Sequence, residues 1–518
     1  MEKKLRKSPY FLSILCAVLV ASFGCSDKFF DEKAGERITP DQHFQSGEDV
    51  EISLRGAIIP LQDVMPRFLI VDGLRSDMMD VTLYADAYLK DLNEHVYSLN
   101  NPYTNPADFY KVIININEVL ANIDKVGLKD REFDDFFNHY YKGALIGMRS
   151  WTYLTLARMY NQVAYIDGNL TSLPENLSAN VISKQVLLDT LINQIIPYIH
   201  DNTAGTQYAE LRVPYYLNTK ALLGELYLEN SDYANAAAYL KLACESYFNQ
   251  PALLKVDKTY KDQAWKTIFL NAETAGVENL SVIPYASFKG QYNLFEKWVG
   301  HANDYMVKPS TVLVDSFMAQ IPAAGAPGDL WRGLGFTFGS DTIAQLTDTT
   351  FLTETYITKY EIDPFDPFSS DIIISRATDI HLLLAEALNR LGDDVSQKYA
   401  LMLLNQGVNK ENPKPAIYSK WSGNLGVRGR VYLKSREVPA TVTGEAKMLL
   451  IEDYIIAERA LELAYEGKRW NDLVRIAERR DNPAFLADKV AAKFVGTSKY
   501  NDVHTKMMNP ANWYLPFQ

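Results

Sequence analysis

The sequence predicts a mainly α-helical protein, with helix pairs of tetratricopeptide type as its scaffold, an irregular loop-rich part and only minor β hairpins. Apolar residues recur at intervals of three and four positions along much of the 518-residue chain, as they do on the buried face of a helix. Alternation of apolar and polar residues, which predicts a strand, is scarce. Its best example is 350–362, which we expect to belong to a small hairpin.

The first 24 residues predict a signal peptide that is not part of the fold. The basic sequence MEKKLRK precedes an apolar run, 10–23, that is too short to cross a bilayer comfortably and ends in small residues. Gly24 and Cys25 then follow, as in the lipobox at which bacterial lipoproteins are cleaved and acylated, although Ser22 replaces the commoner Leu. We expect a lipid on Cys25 and a charged tether over 25–40. The alternative is an ordinary secretory signal with a chance cysteine.

The charge and the cysteine content agree with a lipid anchor. With a net charge of −12, the chain lacks the excess of basic residues that is typical of nucleic-acid-binding proteins. Removal of Cys16 and lipidation of Cys25 would leave Cys244 alone, so that no disulfide could form. Cys244 falls on a predicted apolar helix face, which indicates a buried, inert thiol. Because an acidic protein is not attracted to an anionic envelope, it needs a covalent anchor there.

Long helices are predicted over 106–123, 145–160 and 378–391. The first has apolar residues at Phe109, Ile113, Ile116 and Leu120. The last is followed by Gly392, a residue typical of the position just after a helix.

One pair of helices has a recognisable spacing. In 220–243, small residues stand where two helices would cross and large residues fill the space between them, as in a tetratricopeptide repeat. The residues concerned are Leu223, Gly224, Tyr227, Tyr233, Ala236, Leu240 and Ala243. Repeats of this kind need neighbours to bury their faces, so we expect 41–518 to form one body with the other long helices.

The segment 458–480 (ERALELAYEGKRWNDLVRIAERR) combines many charges with one glycine, Gly467. Apolar residues share one face before and one face after Gly467, which predicts two helices that meet at a left-handed glycine. Salt bridges and caps around this corner are then predicted for Arg459, Glu462, Glu466, Arg469, Asp472 and Arg475. The alternative, a pair of carboxylates acting as acid and base, would need an apolar pocket around them.

Together these motifs resemble the SusD/RagB family of surface nutrient-binding lipoproteins of Bacteroidota. Six short stretches of the charged segment resemble the C-terminal signature of that family. They are Glu458-Arg459, Leu461-Glu462-Leu463, Tyr465-Glu466-Gly467, Arg469-Trp470, Asp472-Leu473 and Arg475. Similar stretches occur at 25–44, 43–58, 149–166 and 375–392, whereas about 250–350 matches least. After the tyrosine that ends one of these helices, Asn161 and Ala164 replace the usual Gly and Pro.

The resemblance implies a helical scaffold on which a more irregular part carries the ligand site. It implies a SusC-like, TonB-dependent barrel in the outer membrane as partner, and an oligosaccharide, or in some members a peptide, as ligand. The protein would be held at the cell surface by its lipid and deliver the ligand to the barrel. Neither catalysis nor a cofactor is implied.

The ligand site is expected on loops of the irregular part, at about 62–105 and 250–370. Two segments there, 71–88 and 292–305, combine aromatic rings for sugar C–H faces with carboxylates, amides and arginine for sugar hydroxyls. We predict that they meet to form a pocket. The candidate ligand-binding residues are Asp72, Arg75, Asp77, Tyr84, Tyr292, Trp298, Asn303, Tyr305 and, further along, Trp331.

Enzymatic and structural alternatives stay open at this point. No two of the seven histidines lie within one helical turn, and HExxH and CxxC motifs are absent, so no local metal site is predicted. Gly333-Leu334-Gly335 lacks the strand–turn–helix setting of a nucleotide loop. An all-helical glycoside hydrolase is an alternative, because its acid and base can be far apart in sequence. A surface adhesin or structural lipoprotein is another.

Overall fold

The computed structural model describes most of the chain from Thr39 onward. The described residues are 39–168, 180–199, 217–245, 256, 259–261, 264–270, 278–301, 304–341, 343–346, 349–352, 354–361, 363, 365–408, 421 and 423–517. The predicted signal peptide, Cys25 and most of its tether lie outside them.

Helices dominate the described residues, as predicted. In the first half they span Pro40–His43 (α1), Gly47–Arg75 (α2), Ala87–Asn93 (α3), Ala107–Val126 (α4), Asp135–Tyr160 (α5), Lys184–Ile195 (α6), Thr219–Glu229 (α7) and Tyr233–Glu245 (α8). In the second half they span Ala264–Leu270 (α9), Glu296–Val299 (α10), Thr311–Met318 (α11), Ala377–Leu391 (α12), Asp394–Leu404 (α13), Val427–Arg430 (α14), Gly444–Glu462 (α15), Arg469–Arg479 (α16), Pro483–Ala491 (α17) and Lys499–Met507 (α18). Within the described part of the chain, none of them combines the length and hydropathy that a membrane span requires.

The scaffold is a row of helices that pack side by side. The row runs α2, α4, α5, α6, α7, α8, α12 and α13, and α16 packs back against α2. The α7–α8 pair has the predicted tetratricopeptide crossing, because a Cβ added to Gly224 would lie 2.5 Å from Leu240 Cγ. Any side chain at Gly224 would therefore push these two helices apart. Such a row is what helix pairs form when each pair buries its faces against the next.

Two predicted helix ends are left-handed in the structure. Asn161 follows α5 with a φ of 61°, and its backbone N–H donates to the carbonyl of Ala157 at 2.8 Å. Asn tolerates this conformation better than most residues, so the turn is kept without glycine. Gly467 has a φ of 69° between α15 and α16, which confirms the predicted corner.

The first part of the expected loop region is helical instead. α2 continues through Pro60 and Pro66 to Arg75, so that 62–75 is not irregular. Each proline inside a helix costs about 3 kcal/mol. Against this, each fully buried Leu, Ile, Val or Met side chain contributes about 1.5–3 kcal/mol. The buried face of this half of the helix carries Leu61, Val64, Met65, Leu69, Ile70 and Leu74, so burial outweighs the two prolines.

The strands of the described residues are short and form antiparallel pairs. They are β1 (Met79–Val81) with β5 (Val307–Pro309), β2 (Gln162–Ala164) with β3 (Val181–Ser183), β4 (Asn279–Ile283) with β10 (Ile372–Arg376), β6 (Phe338–Ser340) with β9 (Thr355–Ile357), and β7 (Ile343–Leu346) with β8 (Thr349–Leu352). The predicted strand at 350–362 corresponds to β8 and β9, which belong to different pairs. The expected hairpin is β7–β8.

Buried apolar side chains form a large cluster and two smaller ones. The large cluster extends from α2, α4, α5 and α6 to the strands β4, β5 and β10. A second joins α7, α8, α12, α13 and α15, and a third joins α16, α17 and α18. Cys244 lies buried in the second cluster, and burial raises the pKa of its thiol, as expected for an inert cysteine.

Candidate functional site

The two segments predicted to bind ligand meet at a short pair of strands. β1 pairs with β5, which places Asp80 opposite Lys308. Just beyond the strands, the backbone N–H of Thr82 donates to the carbonyl of Met306 at 2.9 Å, and Thr82 Oγ1 donates to the carbonyl of Tyr305 at 2.5 Å. The structure thus brings segments 71–88 and 292–305 together.

Tyr103 and Trp298 pack against each other beside this junction. Their ring centroids are 5.8 Å apart and their planes differ by 67°, an edge-to-face contact. Trp298 is buried, with 9% of its surface exposed, whereas Tyr103 is half-buried. The hydroxyl of Tyr103 donates to Asp86 Oδ2 at 2.7 Å, and burial together with this bond raises the pKa of Tyr103. Trp298 therefore supports the ring of Tyr103, which reaches the surface.

A second group of rings lies around β9. The hydroxyl of Tyr305 donates to the carbonyl of Thr355 at 3.3 Å. The imidazole of His301 stacks on Tyr356, with centroids 3.8 Å apart and planes 13° apart, and its Nδ1 lies 3.6 Å from Glu361 Oε2. On the first segment, the side chain of Tyr84 is half exposed. We define the aromatic surface as Tyr84, Tyr103, Trp298, Tyr305 and Tyr356.

Carboxylates surround the aromatic surface. Burial raises the pKa of Tyr305, and Glu354 and Asp341 raise it further. The pKa of Tyr356 is also raised, by burial and then by Asp341 and Glu361. An acidic, aromatic surface of this kind offers ring faces and edges together with acceptors for hydroxyl groups.

Glu296 lies next to this surface, on α10. Burial, and then the charge of Glu361, raises the pKa of Glu296 to about 8. Its Oε1 is buried and has no hydrogen-bond partner among the described residues. The carboxyl of Glu296 is therefore mostly protonated at neutral pH.

Three predicted site residues are buried and form contacts within the protein. Asp72 accepts the backbone N–H of Trp470 at 3.0 Å, and the guanidinium of Arg75 lies 4.2 Å from the centroid of the same indole. Asp77 accepts two hydrogen bonds of 2.7 Å from Arg469. All three are buried, on or just beyond α2, and not on an exposed loop as expected. Their contacts join α2 to α16.

The remaining candidates are Tyr292, Trp331 and Asn303. Tyr292 is half exposed and packs against Phe368, with centroids 6.2 Å apart. Trp331 is half-buried against the large apolar cluster. In the described part of the chain, no hydrogen bond or ring contact joins either of them to the aromatic surface. Asn303 lies outside the described residues.

The charged segment around Gly467 is buried and paired, as predicted. Glu462 accepts hydrogen bonds from Arg332 at 2.6 Å, from Arg376 at 2.8 Å and from the hydroxyl of Tyr260 at 2.6 Å. Burial raises the pKa of Glu462, but the two guanidinium groups outweigh burial and hold it well below its usual value. The other predicted members are likewise buried with partners of opposite charge: Arg459, Glu466, Arg469, Asp472 and Arg475. This cluster holds the fold together and is not arranged as an acid–base pair in an apolar pocket.

Sequence reasoning did not identify Tyr103, Tyr356 and His301 as site residues. Tyr103 lies in a turn that begins with Asn101, whose side chain accepts the backbone N–H of Tyr103 at 2.9 Å. The sequence signal for Tyr103 was an aromatic residue directly after Pro102, inside the region at about 62–105 that was expected to be irregular. In the described residues, no group of three or more His, Cys, Asp or Glu is arranged to hold a metal ion.

Comparison with known proteins finds similarity to one family. The sequence model of the SusD family matches residues 342–518, which include the corner at Gly467. SusD-like protein P38 of Formosa agariphila is 22% identical over 505 residues, and the match covers 90% of this chain and 90% of that protein.

Solved structures have the same fold. A SusD superfamily protein from Bacteroides vulgatus superposes with a TM-score of 0.62 at 16% identity, covering 91% of this chain and 97% of that one. A SusD-like carbohydrate binding protein from Bacteroides vulgatus superposes with a TM-score of 0.57 at 17% identity, covering 84% of each chain. Residues 342–518 thus match the sequence model of the SusD family, and the helix-pair scaffold has the fold of solved SusD superfamily proteins.

Proposed function

We propose that this protein is a cell-surface lipoprotein that binds oligosaccharides at the aromatic surface and delivers them to a SusC-like, TonB-dependent barrel in the outer membrane. It binds the glycan without cleaving it. The single observation that carries this proposal is the contact of Tyr103 with the buried Trp298 at the junction of two distant segments. The stack of His301 on Tyr356 adds a second pair of rings to this region.

The chemistry of the junction suits a sugar ligand. A tyrosine ring offers an apolar face for sugar C–H groups and a hydroxyl for hydrogen bonding. The half-exposed Tyr84 and half-buried Tyr103 and Tyr305 offer such rings at or next to the junction of the two segments. Asp86 lies at the hydroxyl of Tyr103, and Glu361 lies at the imidazole of His301, where carboxylates can accept hydrogen bonds from sugar hydroxyls.

Similarity to the SusD family supports the same ligand class. One solved relative is a SusD-like carbohydrate binding protein. Family resemblance also motivates the proposed partner, a barrel transporter, and the proposed place of action, the outer face of the outer membrane. A lipid on Cys25 would hold the body there, since about fifteen extended residues reach roughly 50 Å at most.

Glycoside hydrolysis is the second candidate, and one observation favours it. Glu296 has a raised pKa beside Glu361, and hydrolases use two carboxyl groups of unequal pKa as acid and base. The acid must reach the glycosidic oxygen, however, whereas Oε1 of Glu296 is buried. Binding without hydrolysis is therefore the better supported function.

The test is a titration of the lipid-free chain from residue 26 onward with a panel of neutral oligosaccharides, with product analysis after long incubation. We expect saturable binding that Tyr103→Ala weakens, and no shorter products. Hydrolysis that Glu296→Gln abolishes would favour the enzyme instead. Co-purification of the full lipidated chain with a large barrel protein tests the proposed partner.

A further inference from the structure

A second cleft lies where the C-terminal segment, 510–517, passes the end of α5. Its volume is about 650 Å³, within the range of about 300–1,000 Å³ typical of small-molecule sites. No residue of the aromatic surface lines it. Its lining includes Tyr97, Asn161, Gln162, Glu478, Tyr514 and Phe517.

A hydrogen bond and a ring contact fix the C-terminal segment against the end of α5. The backbone N–H of Leu515 donates to the carbonyl of Met159 at 2.9 Å, which fixes this segment to the last turn of α5. Phe517 packs edge to face against Tyr160, with centroids 5.7 Å apart and planes at 71°. The rings of Tyr514 and Phe517 are half-buried, so each keeps part of its surface open to the cleft.

Two amide side chains in the cleft are available to a ligand. Asn161 and Gln162 are exposed, and neither side chain forms a hydrogen bond with any residue in the described part of the chain. Asn161 has a φ of 61°, a conformation in which glycine would carry no strain. The chain has asparagine at this position although glycine would be unstrained, and the asparagine side chain lines the cleft.

The cleft also holds one carboxylate in a fixed position. Glu478 accepts a hydrogen bond from Lys184 Nζ at 3.3 Å and one from the hydroxyl of Tyr514. Its charge is partly balanced by that lysine, so the cleft is polar without being strongly charged. Rings, amides and a carboxylate thus converge on one concave surface, as a ligand with many hydroxyl groups and apolar C–H faces requires.

We propose that this cleft is a second saccharide-binding site, which takes a short stretch of an oligosaccharide independently of the aromatic surface. Tyr514 and Phe517 would contact the sugar C–H faces, and the amides of Asn161 and Gln162 would bond its hydroxyls. Two sites on one protein raise the effective concentration of a long glycan, because binding at one site makes the second event intramolecular.

Hydroxyl-radical footprinting read by mass spectrometry tests both sites in one sample. The probes are maltohexaose, cellohexaose, laminarihexaose and xylohexaose, each added to the lipid-free chain. We expect at least one probe to protect Tyr514 and Phe517 from oxidation. The double variant Asn161→Gly/Gln162→Ala should lose this protection, because it removes both amides while glycine accepts the left-handed turn. Tyr103→Ala should keep it.

The outcomes separate this inference from the proposed function. Protection of Tyr84 and Tyr103 alone would overturn the second site and leave the proposed function standing. Protection of the cleft alone would support the second site and contradict the aromatic surface as the binding site. No protection of the cleft by any probe, or protection that the double variant retains, overturns the inference.

Discussion

Trp298 and Tyr103 meet edge to face with their ring centroids 5.8 Å apart, although 195 positions separate them in the chain. Because Trp298 is buried and Tyr103 is half-buried, the indole fixes the orientation of the tyrosine ring. We predict that Tyr103→Ala weakens oligosaccharide binding about tenfold, which corresponds to about 1.4 kcal/mol. Isothermal titration calorimetry measures the change.

Two further variants sharpen this prediction. Tyr103→Phe keeps the ring but removes the bond to Asp86, so its loss of affinity should be smaller than that of Tyr103→Ala. Phe365→Ala changes a ring that is 96% exposed and outside the aromatic surface, so it should bind like the wild type. Equal affinities of Tyr103→Ala and the wild type would remove Tyr103 from the site.

The charge around the aromatic surface predicts selectivity among glycans. Asp86 is bonded to Tyr103, and Asp341, Glu354 and Glu361 act on the rings of Tyr305 and Tyr356. Like charges repel, so a xylo-oligosaccharide that carries glucuronic acid should bind more weakly than the unsubstituted oligosaccharide of the same length. The difference should shrink as salt is added, because ions screen exposed charges. Tighter binding of the glucuronic acid form would contradict this electrostatic argument.

The scaffold was predictable because its signals are local. The spacing around Gly224 and the glycine at Gly467 each specify a contact or a turn within a few dozen residues, and both are present in the structure. Asn161 likewise follows its predicted helix in a left-handed turn, a conformation that Asn tolerates better than most residues.

The site was harder to predict because its partners are distant in sequence. Asp77 looks like a surface carboxylate in the sequence, but its partner, Arg469, stands 392 positions later. A buried ion pair of this kind leaves no local pattern. Tyr103 was missed for the same reason, since its support, Trp298, belongs to another segment. The meeting of segments 71–88 and 292–305 was expected from composition alone, and β1–β5 pairing provides it.

The buried carboxylate of Glu462 predicts a large loss of stability on substitution. Glu462→Gln leaves Arg332 and Arg376 without one of their counter-charges, and breaking a buried ion pair costs about 3–5 kcal/mol. The free energy of unfolding in urea measures this loss. The matched control is Lys447→Ala, whose partner Asp394 is exposed; it should change stability by less than about 1 kcal/mol.

The same carboxylate predicts acid sensitivity. The folded protein holds the pKa of Glu462 well below its ordinary value of 4.5. The unfolded chain therefore binds this proton first as pH falls, and the stabilisation from Glu462 is present above about pH 4.5 and lost below it. Wild-type stability should fall more steeply with acid than that of Glu462→Gln. Parallel curves for the two proteins would contradict the low pKa.

Gly467 and Gly444 form a matched pair for testing the C-terminal corner. Both have a positive φ, 69° and 60°, so alanine at either position costs about 1–2 kcal/mol of backbone strain. A Cβ at Gly467 would also lie 2.5 Å from Phe68 Cε1, whereas nothing lies within 4 Å at Gly444. Gly467→Ala should therefore lose at least about 1 kcal/mol more than Gly444→Ala in urea unfolding, because overpacking adds to the strain. Equal losses would show that α2 yields to the added methyl group at no cost.

Glu296 predicts a pH dependence of the opposite sign to that of Glu462. Its pKa rises from 4.5 to about 8 on folding, so between these values the folded protein binds a proton that the unfolded chain has released. Stability linked to Glu296 is then greatest at or below about pH 4.5 and is lost as pH rises towards 8, at up to about 1.4 kcal/mol per pH unit. Glu296→Gln cannot titrate at this position. The free energy of unfolding of this variant should therefore increase relative to that of the wild type as pH rises from about 4.5 to about 8. Glu354→Gln, which changes an exposed carboxylate, should follow the wild-type slope. If Glu296→Gln also follows that slope, Glu296 is ionised in the folded protein, and its burial beside Glu361 does not keep it neutral.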